Sequence, residues 1–313
     1  MDQLMNIGAA ALKKAALNED AKSFLLKNEV LFNLLKKAAD RYIGGETLEE
    51  TIAKVIQQNR NGFKCSIEFM GESTRNEAES NEATAEFIRI CQHIKTQQLH
   101  STVSLDLSHI GLAVSEELCL NNLLAICAEA AKGGTEVIVS AEGTERTDAI
   151  INTYKQAAKI HSHLSITLQA YLYRTKDDFS ELIQLPNSIR MVKGAFETAA
   201  GLSIPRGEQL DEIYLGYVDQ LLSLQHKCSI ATHHDKIQQG AKELIRRHQP
   251  PKDTYEFESL YGIRTEQLEQ LKAEGYPVKL YFVYGKEWYL YLCNRLAEYP
   301  LNVFQALSDI VNT

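Results

Sequence analysis

Short segments rich in β-branched and apolar residues recur from Thr51 onward at intervals of about 30 to 40 residues, with helical periodicity between them. They are Phe63 to Phe69, Thr102 to Leu107, Glu136 to Ala141, Ser165 to Ala170, Ile189 to Lys193, Ser229 to Thr232, Tyr255 to Ser259 and Lys279 to Val283. Each is nearly continuously apolar or alternates only briefly, as strands do when protein covers both faces of a parallel sheet. The segments between them read as amphipathic helices. Over Asn76 to Lys95 the spacing puts Ala85, Ile88, Cys91 and Ile94 on one stripe, and over Asp211 to Gln225 it does the same for Ile213, Val218, Leu221 and Leu224. About eight βα units in succession predict an α/β chain closed into a (β/α)8 TIM-like barrel. The competitor, a doubly wound sheet, would carry a glycine-rich turn after an early strand, and here the first strand runs into Phe69-Met70-Gly71-Glu72. Residues 1–60 read as a helical arm, with Ile43-Gly44-Gly45-Glu46-Thr47 as a break that caps its last helix. Residues 61–313 read as the barrel, followed by Trp288 to Glu298, Pro300 and an extra terminal helix.

The charge balance narrows the function. Against 33 basic residues stand 41 acidic ones, a net charge of -8, so no surface is built to neutralise many phosphates and nucleic acid is not an expected partner. Six scattered cysteines form no CxxC pair and no zinc spacing, which fits reduced, mostly buried thiols. Residues 1–27 mix Asp2, Lys13, Lys14, Glu19, Asp20 and Lys22 among apolar positions, leaving no signal-peptide core, and no apolar run approaches the roughly 20 residues a bilayer needs. A cytoplasmic protein is expected, with at most transient membrane contact.

In a barrel the catalytic residues sit at the C-terminal ends of the strands. Those ends carry Glu68 and Glu72, Asp106 and His109, Ser140 and Glu142, Gln169 and Tyr171, Arg190 and Lys193, Thr232 to Asp235, Glu256 and Glu258, and Tyr281 with Tyr284. HExxH, P-loop and GxSxG motifs are all missing, so zinc hydrolysis, phosphoryl transfer and serine esterase chemistry lack their parts. His233-His234-Asp235 makes a poor metal corner, because adjacent strand residues point to opposite faces. Arg190 and Lys193 are two cations on one apolar strand, followed at once by Gly194. Buried cations need an anionic partner, either barrel glutamates or a phosphate-bearing or flavin cofactor. Trp288, Tyr291 and Arg295 fall on one helix face, as core packing or as a cage for a small ring.

These segments together resemble the flavin-dependent proline dehydrogenases of the monofunctional bacterial type. The likeness runs through Ile43-Gly-Gly-Glu-Thr-Leu-Glu-Glu, Phe69-Met-Gly-Glu, Leu168-Gln-Ala-Tyr-Leu-Tyr-Arg, Arg190-Met-Val-Lys-Gly-Ala-Phe, Ala231-Thr-His-His, Glu256-Phe-Glu-Ser-Leu-Tyr-Gly, and Tyr284-Gly-Lys-Glu-Trp-Tyr-Leu-Tyr with Arg295-Leu-Ala-Glu. The resemblance implies a distorted barrel holding non-covalent FAD, hydride transfer from a carbon next to a ring nitrogen, and reoxidation by a membrane quinone or another electron acceptor. It implies FAD contacts from Gln169, Arg190, Val192, Lys193, Gly194, Ala195, Thr232, His233 and Glu258. Leu260, Tyr281, Tyr291 and Arg295 would form the substrate pocket, with Arg190, Tyr281, Tyr291 and Arg295 at the chemistry and Glu72 in a loop over the mouth.

Several positions depart from the family's pattern. The lysine that usually ends the second strand and holds the substrate carboxylate is Asp106 here, and the family's Arg-Arg pair reads Asn294-Arg295. The acidic residue that usually ends the third strand is Ser140, and the tyrosine after Lys-Gly-Ala is Phe196. Each charge-assisted hydrogen bond to a carboxylate is worth roughly 1.5 to 3 kcal/mol, so losing two cations costs a free carboxylate on the order of 10² to 10⁴ in affinity. Three readings follow from the resemblance: oxidation of proline with Arg295 alone holding it, oxidation of a carboxyl-masked or carrier-bound proline, or a degenerate flavin-binding protein. A barrel using Lys193 as a Schiff-base lysine is the alternative outside the family.

Overall fold

The computed structural model describes residues 7–12, 14, 18–71, 73–298 and 302–311. Eight parallel strands close in chain order: β1 Lys64–Phe69, β2 Ser101–Leu105, β3 Val137–Val139, β4 Leu164–Gln169, β5 Ile189–Val192, β6 Cys228–Ala231, β7 Tyr255–Leu260 and β8 Val278–Tyr284. The (β/α)8 barrel expected from the sequence is therefore present. The strands differ from expectation mainly in length. The second stops at Leu105 because the chain then winds into a tight turn over Ser108–Leu112, with Gly111 at φ +115°.

Alternation sorts the side chains. On β1, Cys65 and Ile67 join the apolar layer under the helices, while Ser66 and Glu68 lie on the opposite, lumen face. Ser66 meets Ser104 of the neighbouring β2 inside that lumen, Oγ to Oγ at 2.8 Å.

Side-chain caps start the helices that cover the strands. Thr47 accepts from the Glu50 backbone while Glu50 reaches back to the Thr47 backbone, so the break at Gly44-Gly45 ends in a capping box before the helix Leu48–Arg60. Asn76 and Ser115 cap the helices Glu77–Thr96 and Glu116–Ala131 by accepting from the backbone N–H of Glu79 and Leu118 respectively. The buried stripe of Glu77–Thr96 is centred on Phe87, Ile90, Cys91 and Ile94; Ala85 lies outside it, and Ile88 is only half-buried. The apolar period is legible there, and the packing of the helix on the barrel decides which edge of the stripe is covered. Leu224 is likewise left exposed past the end of Glu208–Ser223, where Val218 and Leu221 are buried.

A second apolar cluster lies beside the barrel. It joins Ala38, Tyr42 and Ile43 of the N-terminal region to Val283, Trp288 and Leu292. Among the described residues, no helix is long and apolar enough to cross a membrane. The cysteines are free and buried, and burial pushes the thiols of Cys65, Cys91, Cys119, Cys127 and Cys228 up to about 12.

Candidate active site

The N-terminal half of the lumen is filled by paired charges. Lys279, wholly buried on β8, reaches Glu256 at 2.6 Å, Ser229 at 2.9 Å and Glu258 at 3.0 Å. Lys64 bridges Glu256 at 3.1 Å and Glu136 at 3.4 Å. Burial alone would raise the Glu256 carboxyl, yet Lys279 and Lys64 hold it down at about 2. Above this layer lies Arg190. Its Nε donates to Thr167 at 2.8 Å, Nη1 to Ser104 at 3.0 Å and Glu258 at 3.2 Å, and Nη2 to Ser140 at 3.0 Å. The guanidinium also faces the Tyr281 ring, 5.1 Å from its centroid.

The mouth carries the opposite balance. Glu68 accepts from Ser140 Oγ at 2.7 Å and from the Tyr281 hydroxyl. Burial raises the Glu68 carboxyl, and burial together with Glu68 and Glu142 pushes Asp106 well above the usual carboxylate range. Glu142, which accepts from the Ser108 backbone at 3.2 Å, is raised by burial as well. His109 stacks on Phe69 at 5.1 Å beneath this rim, and burial lowers it to about 4. Gly71 has to be glycine there, since a Cβ would lie 2.0 Å from His109 Nε2.

Above the strand ends opens a cavity of about 1370 Å³. It is lined by Asp106, Ser140, Gln169, Arg190, Val192, Lys193, Gly194, Ala195, Thr232, His233, Glu258, Leu260, Tyr281, Tyr291, Asn294 and Arg295, whereas the strand-end candidates His109, Glu142, Tyr171, Asp235, Glu256 and Tyr284 stay outside its lining. Glu72 lies outside the described residues. The face holding Trp288, Tyr291 and Arg295 divides. Trp288 is core, donating to Glu46 at 2.7 Å and meeting Phe32 edge-on, whereas Arg295 lies 4.9 Å over the Tyr291 ring in the cavity wall.

Three residues of the site escaped the sequence reading. Arg206 donates to the Gly194 carbonyl at 3.0 Å, Arg264 sits at a left-handed φ of 44° just past β7, and Asp211 pairs with Lys193, whose Nζ also lies 3.1 Å from His234. Their signals are a loop arginine, an arginine after Gly262 and an acid in a helix's first turn, none of which announces a site. Gly194 has φ +104°, and a Cβ there would lie 2.1 Å from the Tyr171 ring.

The donor set fits FAD. The volume exceeds the usual pocket for a small ligand. Lys193, Arg206, Arg264 and Arg295 line the cavity as well, and burial with the charges of Arg295, Arg264 and Arg206 depresses His233 to about 4. Four such cations suit a pyrophosphate. Among the described residues no group of three or more His, Cys, Asp or Glu is placed to hold a metal.

Comparison with known proteins identifies the family. The family model for proline dehydrogenase matches residues 51–302. Proline dehydrogenase 1 of Bacillus subtilis is 33% identical over 293 residues, 92% of this chain and 97% of that protein. Proline dehydrogenase of Deinococcus radiodurans is 32% identical over 282 residues, 88% and 90% of the two chains. Among solved structures, proline utilization A from Bdellovibrio bacteriovorus, inactivated by N-propargylglycine, superposes with a TM-score of 0.80 at 17% identity, over 94% of this chain. Proline utilization A from Corynebacterium freiburgense gives 0.72 at 18% identity, over 95%. This chain spans about a third of those two proteins, 36% and 35%, and at such identity the likeness speaks for the fold alone. The model match and the two relatives, each about a third identical along nearly its whole length, place this chain in the proline dehydrogenase family, FAD-dependent oxidoreductases acting on the CH–NH group of proline.

Proposed function

We propose that the chain oxidises the ring C–N bond of a proline whose carboxyl group is masked, as an amide, an ester or a carrier-bound prolyl group, in preference to free L-proline. The observation that carries this reading is Asp106. Its carboxyl lines the cavity, receives no hydrogen bond from any described residue, and lies within the field of Glu68 and Glu142. Ionised, it repels a carboxylate; protonated, it donates a hydrogen bond to a carbonyl oxygen. The ionised state disfavours a free carboxylate, and in neither state does Asp106 supply the positive charge that a carboxylate calls for. Asn294 beside Arg295 supports the same conclusion, since an amide satisfies a carbonyl without adding charge.

In this reading FAD, when bound, supplies the two-electron acceptor. Lys193, Gly194, Ala195, Thr232 and His233 would hold it, together with Gln169, Val192 and the Arg190–Glu258 pair. Arg190, fixed by its bonds to Thr167, Ser104, Glu258 and Ser140, contributes positive charge that needs no rearrangement when negative charge develops nearby. Leu260, Tyr281, Tyr291 and Arg295 would enclose the ring, with Ser140 beneath it. A quinone reached by transient membrane contact would take the electrons onward.

The test is anaerobic bleaching of the flavin absorbance in the purified holoenzyme by proline amide, proline methyl ester and L-proline. Bleaching by the masked analogues at concentrations at least 10²-fold below those needed for L-proline is expected from the loss of the carboxylate's cations. Equal bleaching by L-proline would overturn the preference and leave a plain proline dehydrogenase.

A further inference from the structure

We propose that Glu68 accepts the proton of the substrate's ring ammonium, a role that rests on the oxidation of a cyclic amine proposed above and holds whether or not the carboxyl is masked. Ser140 Oγ and the Tyr281 hydroxyl both donate to Oε2 of Glu68. Oε1 receives no hydrogen bond from the described residues, and Glu68, only 9% exposed, lines the cavity. A carboxylate held through one oxygen is fixed in position while the other stays free for a ligand. A cyclic secondary amine is an ammonium ion at neutral pH and cannot release hydride from the carbon beside nitrogen until it has a lone pair. Transfer to Glu68 breaks one N–H bond, forms one O–H bond on Oε1 and leaves the electron pair on nitrogen, ready for the C=N bond of the family's oxidation.

The surroundings single out Glu68. Facing it are Asp106 beyond β2, Glu142 beyond β3, Arg190 on β5 and Tyr281 on β8, with Glu258 of β7 engaged by Arg190. Burial is the main cause that raises its proton affinity, the direction that suits a carboxylate acting as a base. Glu142 is tied to the Ser108 backbone and does not line the cavity. His233 does line it, but the arginines around it oppose a second positive charge. Asp106 is the competing acceptor, so the test separates the two.

The experiment is infrared difference spectroscopy on dithionite-reduced holoenzyme, which cannot turn over. The probes are proline amide, or L-proline if that is the compound that bleaches, and tetrahydrofuran-2-carboxamide, which has an ether oxygen in place of the ammonium. Expected is a new C=O band of a protonated carboxyl with the amine and none with the ether, lost in Glu68→Gln and kept in Asp106→Asn. Glutamine still accepts from Ser140 and Tyr281, so the shape of the site is preserved. In turnover, Glu68→Gln should lose roughly 10² to 10⁴ of kcat/KM at neutral pH, with activity then rising with pH toward the amine's own pKa, and Glu68→Asp should recover part of the loss. A band that survives Glu68→Gln, one that vanishes in Asp106→Asn instead, or an unchanged pH profile overturns the proposal. Failure of every cyclic amine to bleach the wild-type flavin overturns the proposed function first and this role with it, whereas intact bleaching without the band overturns this role alone.

Discussion

At the N-terminal end of the lumen three carboxylates, Glu136, Glu256 and Glu258, meet three cations, Lys64, Lys279 and Arg190, through ion pairs of 2.6 to 3.4 Å. At the mouth a second set of three, Glu68, Asp106 and Glu142, is opposed among the described residues chiefly by Arg190 from below, already shared with Glu258, and by Arg146 beside Glu142. The lower set is satisfied without a ligand. In the upper set, Glu68 and Asp106 put acid with little compensation where a ligand enters, the condition that shifts proton affinities at working sites. Within one barrel, a charge that is paired holds the fold, and a charge left unpaired is available for binding or proton transfer.

This contrast can be broken most strongly from below. Lys279→Met leaves Glu256 and Glu258 buried with one cation fewer and should cost about 3 to 5 kcal/mol in urea denaturation. The same layer predicts an acid limit. Glu256 is held ionised to about 2, against 4.5 for an ordinary glutamate, so its contribution to stability is fully present above pH 4.5 and is lost as the pH falls toward 2. A Lys279→Met variant as stable as the wild type would show that the pairing is not needed.

His109 provides the next largest effect. It is neutral in the fold down to about pH 4 but protonates near 6.5 when unfolded. Stability should therefore fall between pH 6.5 and pH 4, by up to about 3 kcal/mol for this one group. In His109→Phe that part of the slope should disappear from a pH series of thermal melts.

The mouth gives smaller, sharper changes. Asp106→Lys supplies a carboxylate partner and should raise kcat/KM for free L-proline roughly 10- to 100-fold, the worth of one charge-assisted hydrogen bond. Steady-state kinetics that show no gain would count against the proposed carboxyl preference. Asp106→Asn removes one of three mutually repelling acids and should stabilise the fold by on the order of 1 kcal/mol. Because the Asp106 carboxyl is raised in the fold, its destabilisation appears as pH rises above 3.8, so the gain in Asp106→Asn should grow with pH in paired melts.

The eight strands were legible because each is a short apolar run with its own turn signals, information carried within about six residues of sequence. The rule that barrel sites sit at strand ends then brought Arg190, Lys193, Thr232 and Tyr281 into view, and they share one cavity in the fold. Lys279 lay inside a segment recognised as a strand, yet nothing local marked it as the cation neutralising Glu256 and Glu258, more than 20 residues away in sequence. Arg206 and Arg264 were missed for a related reason, since each lies in a loop whose course no periodicity describes.

The sequence by itself determined the succession of strands and helices, the closure expected of eight such units, and the residue types at each strand end. Those follow from local periodicity and from capping, as at Thr47 and Asn76. Only the tertiary structure decided which charges are paired. Glu68, Glu256 and Glu258 look alike along the chain, but the register of the closed sheet sets Glu256 and Glu258 beside Lys279 and sets Glu68 between Ser140 and Tyr281 at the mouth. Charge compensation depends on distances across the lumen, and these are fixed only when β1 pairs with β8 and the barrel closes.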